Sequence, residues 1–271
     1  MNSPSSIKTV DRLVRILDCF TPAQPAWSLT ELSTHLQLPK STLHRFLVSL
    51  ETYGILHRDL HDKRWRLGPR LFAWGSLAAE SIDLRRIARP VMRDLVAATG
   101  ETVILTAYYG QEVICIDKVE TNHSVRMTLE VGTRRPPHAG ASCKVLMAYL
   151  PGEEIRAIIR DKGLPRLCTN TITDPDELLT ELGAIRERGY AHSLEETDLG
   201  AWGVATPIRD WRGEVVAAIG VAGPTSRLTD QLVQQYVALC RQAAQRISML
   251  LGAGIGSRNE EQPQTKREAS K

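Results

Sequence analysis

The feature that most constrains the fold is a pair of short amphipathic helices separated by a tight break near the N-terminus. The first begins at Ser28, where Ser28 and Glu31 follow the capping pattern in which a hydroxyl and a carboxylate satisfy free amides at a helix start. The second runs from Lys40 to about Tyr53 and stops at Gly54. Its apolar residues recur at helical spacing and share one face: Leu43, Phe46, Leu47 and Leu50. The sequence therefore predicts a helix-turn-helix.

Two short strands follow this helix pair. Residues 55–58 and 64–67 flank a turn at 59–63, which is a candidate hairpin. The complete order is that of a winged helix-turn-helix, whose second helix enters the major groove of DNA. With the apolar face turned inward, hydroxyls and cations suited to phosphates and base edges face outward. The predicted DNA-contacting residues are Ser28, Thr30, Lys40, Ser41, Thr42, His44, Arg45, Ser49, Arg58, Lys63 and Arg64.

Charge is concentrated in the same region. Residues 40–70 contain seven Lys and Arg against three Asp and Glu, whereas the whole chain carries 34 against 31 and a net charge of +3. A local excess of positive charge suits a polyanionic partner. A solvated charged face, or a helical protein-binding module with a basic surface, explains the charge alone equally well. The order of the elements favours double-stranded DNA.

Length and composition exclude several classes of protein. At about 150 residues per domain, 271 residues predict about two domains, and 42% hydrophobic with 24% charged residues is ordinary for a globular chain. No stretch approaches the roughly 18 apolar residues of a membrane helix, and the N-terminus lacks the features of a secretory signal. Five scattered cysteines without a CxxC pair predict neither disulfides nor a zinc site, so we expect a cytoplasmic protein.

From residue 101 onward the pattern predicts an α+β domain. The expected strands are 102–109, 112–119, 125–131, 190–194, 204–209 and 215–221. The expected helices of the whole chain, besides the pair described above, are 7–20, 71–81, 83–99, 142–150, 152–161, 175–188 after a capping Asp174, and a final helix to about Leu251. Pro90 predicts a kink or a break near Arg89.

Motifs along nearly the whole chain point to one protein family. In the first half they are Leu29–Ser33, Leu38–Leu47, Tyr53-Gly54 and Trp65–Gly68; in the second they are Thr99–Val103, Gly189–Ala191, Glu195-Glu196, Gly213–Ala218, Gly223-Pro224 and Arg227-Leu228. These segments resemble the IclR family of bacterial transcription regulators. The resemblance implies a winged helix-turn-helix (1–68), a linker helix (69–82) and a GAF-like α/β effector-binding domain with a curved antiparallel sheet (83–252). The polar residues 253–271 are expected to be a disordered tail.

The same resemblance implies where an effector binds. The pocket residues it indicates are Ala141, Ser142, Cys143, Ser193, Gly203, Gly220 and Ala222. The expected helix 142–150 begins among them, and the free amides of a helix start suit a carboxylate. The family usually has glycine at position 143, an acidic residue at 193, often cysteine at 203, and, in members that bind small acids, polar residues at 220 and 222. We therefore expect a roomier and less polar pocket that takes an aromatic or larger organic acid. Close packing of the final helix is the alternative explanation for Gly220 and Ala222.

Cys143 also allows other chemistry. With His138 or His192 it could form a nucleophile pair, or a metal site together with Cys168, and a thiol at a helix start could act as a redox sensor. No hydrolase motif or metal-ligand spacing supports the first two. We predict no catalysis, no cofactor and no metal, and we keep a DNA-binding redox sensor as the alternative to an effector-responsive regulator.

The expected function is a ligand-responsive regulator, by default a repressor of a catabolic operon that senses a small organic acid. The resemblance implies a homodimer or homotetramer. Its winged modules would read the two halves of a pseudo-palindrome in adjacent major grooves, about 34 Å apart. In the linker helix, Leu71, Phe72, Trp74 and Leu77 fit a dimer seam or packing within one subunit. No membrane is expected to take part.

Overall fold

The computed structural model describes residues 7–21, 23–81, 83–127 and 129–253, with the side chains of 76–81 and 230 left out. Its contacts divide the chain into a first unit that ends at Ile82 and a second that begins at Asp83. Apart from Ala253, the predicted disordered tail lies outside the described residues, and so does the side chain of Leu77. No helix in the described ranges has both the length and the apolarity needed to cross a membrane.

The first unit is the predicted winged helix-turn-helix. Its elements are α1 (Lys8–Leu17), α2 (Leu29–Leu36), α3 (Lys40–Thr52), β1 (Leu56–Arg58), β2 (Trp65–Leu67) and α4 (Pro69–Ser81). The capping box forms as expected, since Ser28 Oγ accepts the amide of Glu31 at 3.2 Å and the Glu31 carboxylate accepts the amide of Ser28 at 2.8 Å. The left-handed Gln37 ends α2 at a φ of 54° and turns the chain toward α3.

One apolar core holds this unit together. Leu43, Leu47 and Leu50 of α3 are buried in it. They share the core with residues of four neighbouring segments: Ile16, Leu32, Leu36, Leu56 and Trp65. Trp27 also exchanges two backbone hydrogen bonds with Trp65, at 2.7 and 3.0 Å, so the segment before α2 is joined to the hairpin. Burial of each large apolar side chain contributes about 1.5–3 kcal/mol. The apolar face of α3 is therefore fixed inward.

The second unit is an α+β domain, as predicted. Its elements are α5 (Leu84–Thr99), β3 (Thr102–Tyr109), β4 (Glu112–Val119), β5 (Arg134–Arg135), α6 (Ala141–Ala148), α7 (Gly152–Lys162), α8 (Pro175–Arg188), β6 (Ala191–Leu194), β7 (Ala201–Arg209), β8 (Val215–Pro224), a 3-10 turn (Thr225–Arg227) and α9 (Asp230–Leu250). The strands form one curled antiparallel sheet in the order β5-β4-β3-β8-β7-β6.

The sheet separates two apolar cores because successive strand residues point to opposite faces. On β8, Ala217, Ile219 and Val221 pack in the core that contains α5 and α9. Ala218, between them, packs in the core that contains α6 and α8. The residues of β8 that alternate with Ile219 and Val221 therefore face α6 and not the final helix.

The structure lacks two features that the sequence suggested for this unit. Of the expected kink or break near Arg89, the break does not occur, since α5 continues through Pro90, and residues on both sides of the proline, Ala88, Val91 and Met92, are buried. This packing outweighs the lost backbone hydrogen bond. The predicted strand at 125–131 is absent from its described residues, and the segment is attached through Thr102 Oγ1, which donates to Met127 O at 3.1 Å. The two-residue strand β5 pairs with β4 instead.

Gly68 provides a test of the first unit. An added Cβ would overlap the Gly54 carbonyl oxygen and lie 2.9 Å from the Ile55 carbonyl carbon, so the backbone would have to shift. We expect Gly68→Ala to lower the free energy of unfolding by about 1–3 kcal/mol, as overpacking does. Gly183→Ala is the matched control, because its Cβ would meet nothing within 4 Å inside α8. It should stabilise the protein by about 0.5–1 kcal/mol. Urea unfolding measures both, and equal effects would contradict this account.

Candidate functional site

The polar face of α3 is open to solvent. Six of the predicted DNA-contacting residues lie on α3. Thr42 is half-buried, and the other five side chains are exposed: Lys40, Ser41, His44, Arg45 and Ser49. Within the described residues, none of these side chains makes a hydrogen bond or an ion pair. The helix therefore presents one unpartnered polar face, with the buried leucines on the other.

The hairpin cations differ in how far they are engaged. Lys63 is exposed, in a left-handed turn position with a φ of 58°, and its side chain has no partner among the described residues. Arg58 donates through Nε to Lys63 O at 3.1 Å and lies over the Trp65 ring at 5.8 Å. Arg64 is committed to Glu31, with two nitrogens 2.8 and 3.0 Å from its two carboxylate oxygens. Arg64 therefore joins the hairpin to the start of α2.

Ser28 and Thr30 lie at that same helix start. The Ser28 hydroxyl is occupied by the capping box, whereas Thr30 is exposed. The Ser28 amide, followed by its hydroxyl and Arg64, lowers the pKa of Glu31. The structure thus uses Ser28 and Arg64 to shape the unit, and places the predicted side chains of α3 and Lys63 at its surface.

The second unit contains a pocket between the sheet and α6. It encloses about 790 Å³ of space outside protein atoms, including its open mouth. All seven predicted effector residues lie around it: Ala141, Ser142, Cys143, Ser193, Gly203, Gly220 and Ala222. Sequence reasoning missed other lining residues, among them Arg135, Thr197 and Asp198 at polar positions and Met127 and Leu129 at apolar ones. These lie in loops or short elements that become neighbours only through the sheet.

The start of α6 gives the pocket a polar end. The amides of the first helical turn have no acceptor within their own helix, and the helix dipole makes this end positive. The hydroxyls of Ser142 and Ser193 make no hydrogen bond with the described residues. Free amides and hydroxyls at one end of a cavity are suited to an anion.

A buried ion pair fixes this helix start. Lys144 is 2% exposed, and its Nζ donates to Glu196 Oε1 at 2.6 Å, to His192 O at 3.1 Å and to Glu181 Oε1 at 3.4 Å. The other oxygen of Glu196 accepts the amide of Gly140 at 2.9 Å. Glu196 thereby connects the segment 195–200 to the residue that precedes α6.

The small residues of the last two strands allow α6 to approach the sheet. A Cβ on Gly220 would lie 2.8 Å from Val204 O and 3.0 Å from Ser142 Oγ, and one on Gly203 would lie 3.2 Å from Ser193 Oγ. Gly220 therefore makes room for the first turn of α6. The alternative that it accommodates the final helix was wrong, because α9 packs on the opposite face.

The environment of Cys143 disfavours the thiolate, which is the reactive form of a cysteine. Burial raises the pKa of its thiol to about 12, against a smaller opposing effect of the Arg135 charge. His138 Nε2 lies 3.0 Å from Pro165 O, and burial lowers the pKa of both His138 and His192. Neither imidazole hydrogen-bonds the thiol within the described part of the chain, and no group of three potential metal ligands comes together there. The geometry supports neither a nucleophile pair nor a metal centre.

The thiol environment predicts an order of labelling. Cys168 is half-exposed, whereas Cys143 is buried. At pH 7.5 iodoacetamide should modify Cys168 first and should reach Cys143 only when urea unfolds the protein, because the thiolate is the reactive form. Peptide mass spectrometry follows each site, and Cys168→Ser is the control that removes the fast reaction. Labelling of folded Cys143 at the rate of Cys168 would instead favour a redox role.

Comparison with known proteins agrees with both units. Residues 76–249 match the family model of the bacterial transcriptional regulator IclR C-terminal domain, and residues 9–60 match the IclR helix-turn-helix domain. The HTH-type transcriptional regulator KipR of Bacillus subtilis is 34% identical over 245 residues, which cover 90% of this chain and 97% of KipR. The transcriptional repressor IclR of Escherichia coli is 32% identical over 248 residues, or 91% and 90% of the two chains.

A solved structure extends the likeness to the fold. The IclR homologue of Microbacterium hydrocarbonoxydans, complexed with 4-hydroxybenzoate, aligns with a TM-score of 0.57 and 30% identity, covering 90% of this chain and 99% of that one. The named relatives are regulators and not enzymes. Since two family models match most of the chain, in the order of its two units, the protein belongs to the IclR family of DNA-binding transcriptional regulators with an effector domain.

Proposed function

We propose that this regulator is a repressor whose affinity for its operator is set by an aromatic or similarly large organic acid bound at the start of α6. The observation that carries the proposal is the combination of a polar end and apolar walls in one pocket. The amides of α6 and the hydroxyls of Ser142 and Ser193 lie at one end. Ile104, Val113 and other apolar residues line the walls.

The polar end and the apolar walls of the pocket suit a ligand that has both a carboxylate and a ring. A carboxylate would accept hydrogen bonds from the helix amides and the two serines. A ring would cover the apolar walls, at about 25 cal/mol for each Å² removed from water. A two- or three-carbon acid would leave those walls exposed and gain little from them. The relative complexed with 4-hydroxybenzoate, an aromatic acid, supports this class of ligand.

On the DNA side, α3 would lie in the major groove and the hairpin would contact the backbone. Two copies would read a pseudo-palindrome, joined in part through α4, where Phe72 is 81% exposed and Trp74 47%. A homotetramer would pair two such dimers through effector domains. The ligand would act by binding one arrangement of the copies more tightly than another. A repressor that releases a catabolic operon when its acid accumulates fits these parts, and E. coli IclR is itself a named repressor.

A binding panel tests the ligand class. We expect 4-hydroxybenzoate, benzoate or phenylacetate to raise the melting temperature, since a ligand at 100 times its Kd stabilises the folded state by about 2.7 kcal/mol. The same acid should release the protein from an operator selected out of random duplexes, measured by gel shift. The methyl esters, which lack the charge, are the controls. Tight binding of glyoxylate or pyruvate, with no binding of any aromatic acid, would refute the proposal.

Salt dependence separates the roles of the DNA-contacting residues. Arg45→Ala should weaken specific binding by about 1–3 kcal/mol if Arg45 reads a guanine. Lys63→Ala should weaken binding to all sequences and reduce the salt slope by about 1, because one phosphate contact is lost. Arg64→Ala is the matched control, with a smaller change in slope expected, since Glu31 already holds that guanidinium. An unchanged operator affinity in the Arg45 variant would reject its role.

A further inference from the structure

Arg135 stands out among the residues that line the effector pocket. Of the described lining residues it is the one that carries a positive charge, since the other charged members are Glu196 and Asp198. It is the second residue of the short edge strand β5 and pairs with Val113 of β4. The sheet therefore places a guanidinium in the wall of a cavity that the start of α6 also lines.

The partner of Arg135 in the structure is Asp198, and the pair is loose. A single nitrogen, Nη2, lies 3.2 and 3.4 Å from the two carboxylate oxygens, and the two side chains are 30% and 44% exposed. Arg227 and Glu101 form a different kind of pair in the same unit. Two nitrogens of Arg227 lie 2.7 and 2.6 Å from two oxygens, and Glu101 is 3% exposed.

The loose pair leaves hydrogen-bonding capacity unused. A guanidinium has five N–H donors, and within the described residues Arg135 uses those of Nη2 alone. Solvent-exposed ion pairs of this geometry contribute little to stability. A carboxylate that meets two nitrogens of an arginine makes shorter and stronger hydrogen bonds. Another carboxylate inside the pocket would therefore compete well with Asp198.

Arg135 and the first residues of α6 line the same pocket, so both can face one bound anion. The charge of Arg135 also lowers the pKa of the Cys143 thiol, against the larger opposing effect of burial. A carboxylate has two oxygens with about four acceptor positions. One such group can accept from a guanidinium on one side and from helix amides on the other.

We propose that Arg135 is the residue that selects carboxylate ligands, and that the ligand's carboxylate takes the place of Asp198 on its guanidinium. This rests on the proposed function, since it assumes that the pocket binds an organic acid. This exchange of carboxylates on Arg135 would let ligand binding affect the segment that contains Asp198. Asp198 belongs to the segment 195–200, which Glu196 connects to Gly140 and Lys144 of α6. Release of Asp198 therefore alters the constraints on the segment next to that helix start.

Calorimetry on two variants of the full chain tests the exchange. The probes are 4-hydroxybenzoate, benzoate and phenylacetate, each beside its methyl ester. We expect Arg135→Gln to weaken binding of the acids by about 10- to 100-fold, the effect of one charge-assisted contact, and to leave the esters unchanged. Asp198→Asn removes the competing charge, so it should bind the acids several-fold more tightly than the wild type.

Arg134→Gln is the matched control. Arg134 neighbours Arg135 on β5, is paired with Glu112 at 2.9 Å and does not line the pocket, so its loss should leave acid binding unchanged. Thermal unfolding without ligand confirms that each variant is folded. Arg135→Lys is expected to retain part of the preference for acid over ester, which a purely structural role would not produce.

The outcomes separate this inference from the proposed function. If the wild type binds none of the three acids, the proposed function fails and the exchange fails with it. If the wild type binds an acid and Arg135→Gln binds it equally well, the assignment of Arg135 is wrong and the proposed function stands. If Asp198→Asn weakens the acid as Arg135→Gln does, Asp198 supports the site and is not displaced from it.

Discussion

The geometry of the pocket beside α6 depends on the buried ion pair between Lys144 and Glu196. Removing two charges from water costs several kcal/mol for each ion, and only good geometry with additional hydrogen bonds offsets that cost. Here Lys144 has three oxygen acceptors, and the second oxygen of Glu196 accepts the amide of Gly140. The pair therefore fixes the residue that precedes α6 against the segment 195–200. Apolar packing already holds α6 against the sheet and α8, and the ion pair adds a polar link at the first residues of the helix.

The DNA-binding unit also fixes the start of a helix, but it does so without burying charged groups. Its charged groups are near the surface, where ion pairs contribute little, and its geometry comes from the apolar face of α3 and from the capping box. Arg64 and Glu31 add a link between hairpin and helix start without burial. One cation, Arg64, therefore stabilises the unit itself, while the polar side chains of α3 and Lys63 remain accessible to a partner. Both units use a carboxylate to fix a helix start, one at the surface and one in a core.

Local signals explain what the sequence could predict. The boundaries of α2, α3 and α8 follow from caps and helical spacing, which act within a few residues, and the structure places them where expected. The pocket residues of α6, β6, β7 and β8 came from family resemblance, since they are far apart in the chain. Arg135 and Asp198 were missed because neither carries a local signal. A β-branched run at 125–131 suggested a strand, whereas the true edge strand is two residues long and is defined by its pairing with Val113. For Cys143 the sequence leaves two possibilities open, because a helix start lowers the pKa of a thiol, whereas burial, visible only in the fold, raises it to about 12.

Two of the three carboxylates in the segment 195–200, those of Glu196 and Asp198, differ in a way that suits a switch. Glu196 is 7% exposed and its pair is short, so breaking it would leave a buried charge without a partner. Asp198 is paired at a longer distance and is partly exposed to solvent, so the loss of its partner lowers stability only slightly. A ligand shifts an equilibrium only by the difference between its affinities for the two states. If the weak pair is the one that changes, most of the binding free energy of an acid is available for that difference, and the strong pair keeps the helix start in place while the neighbouring segment responds.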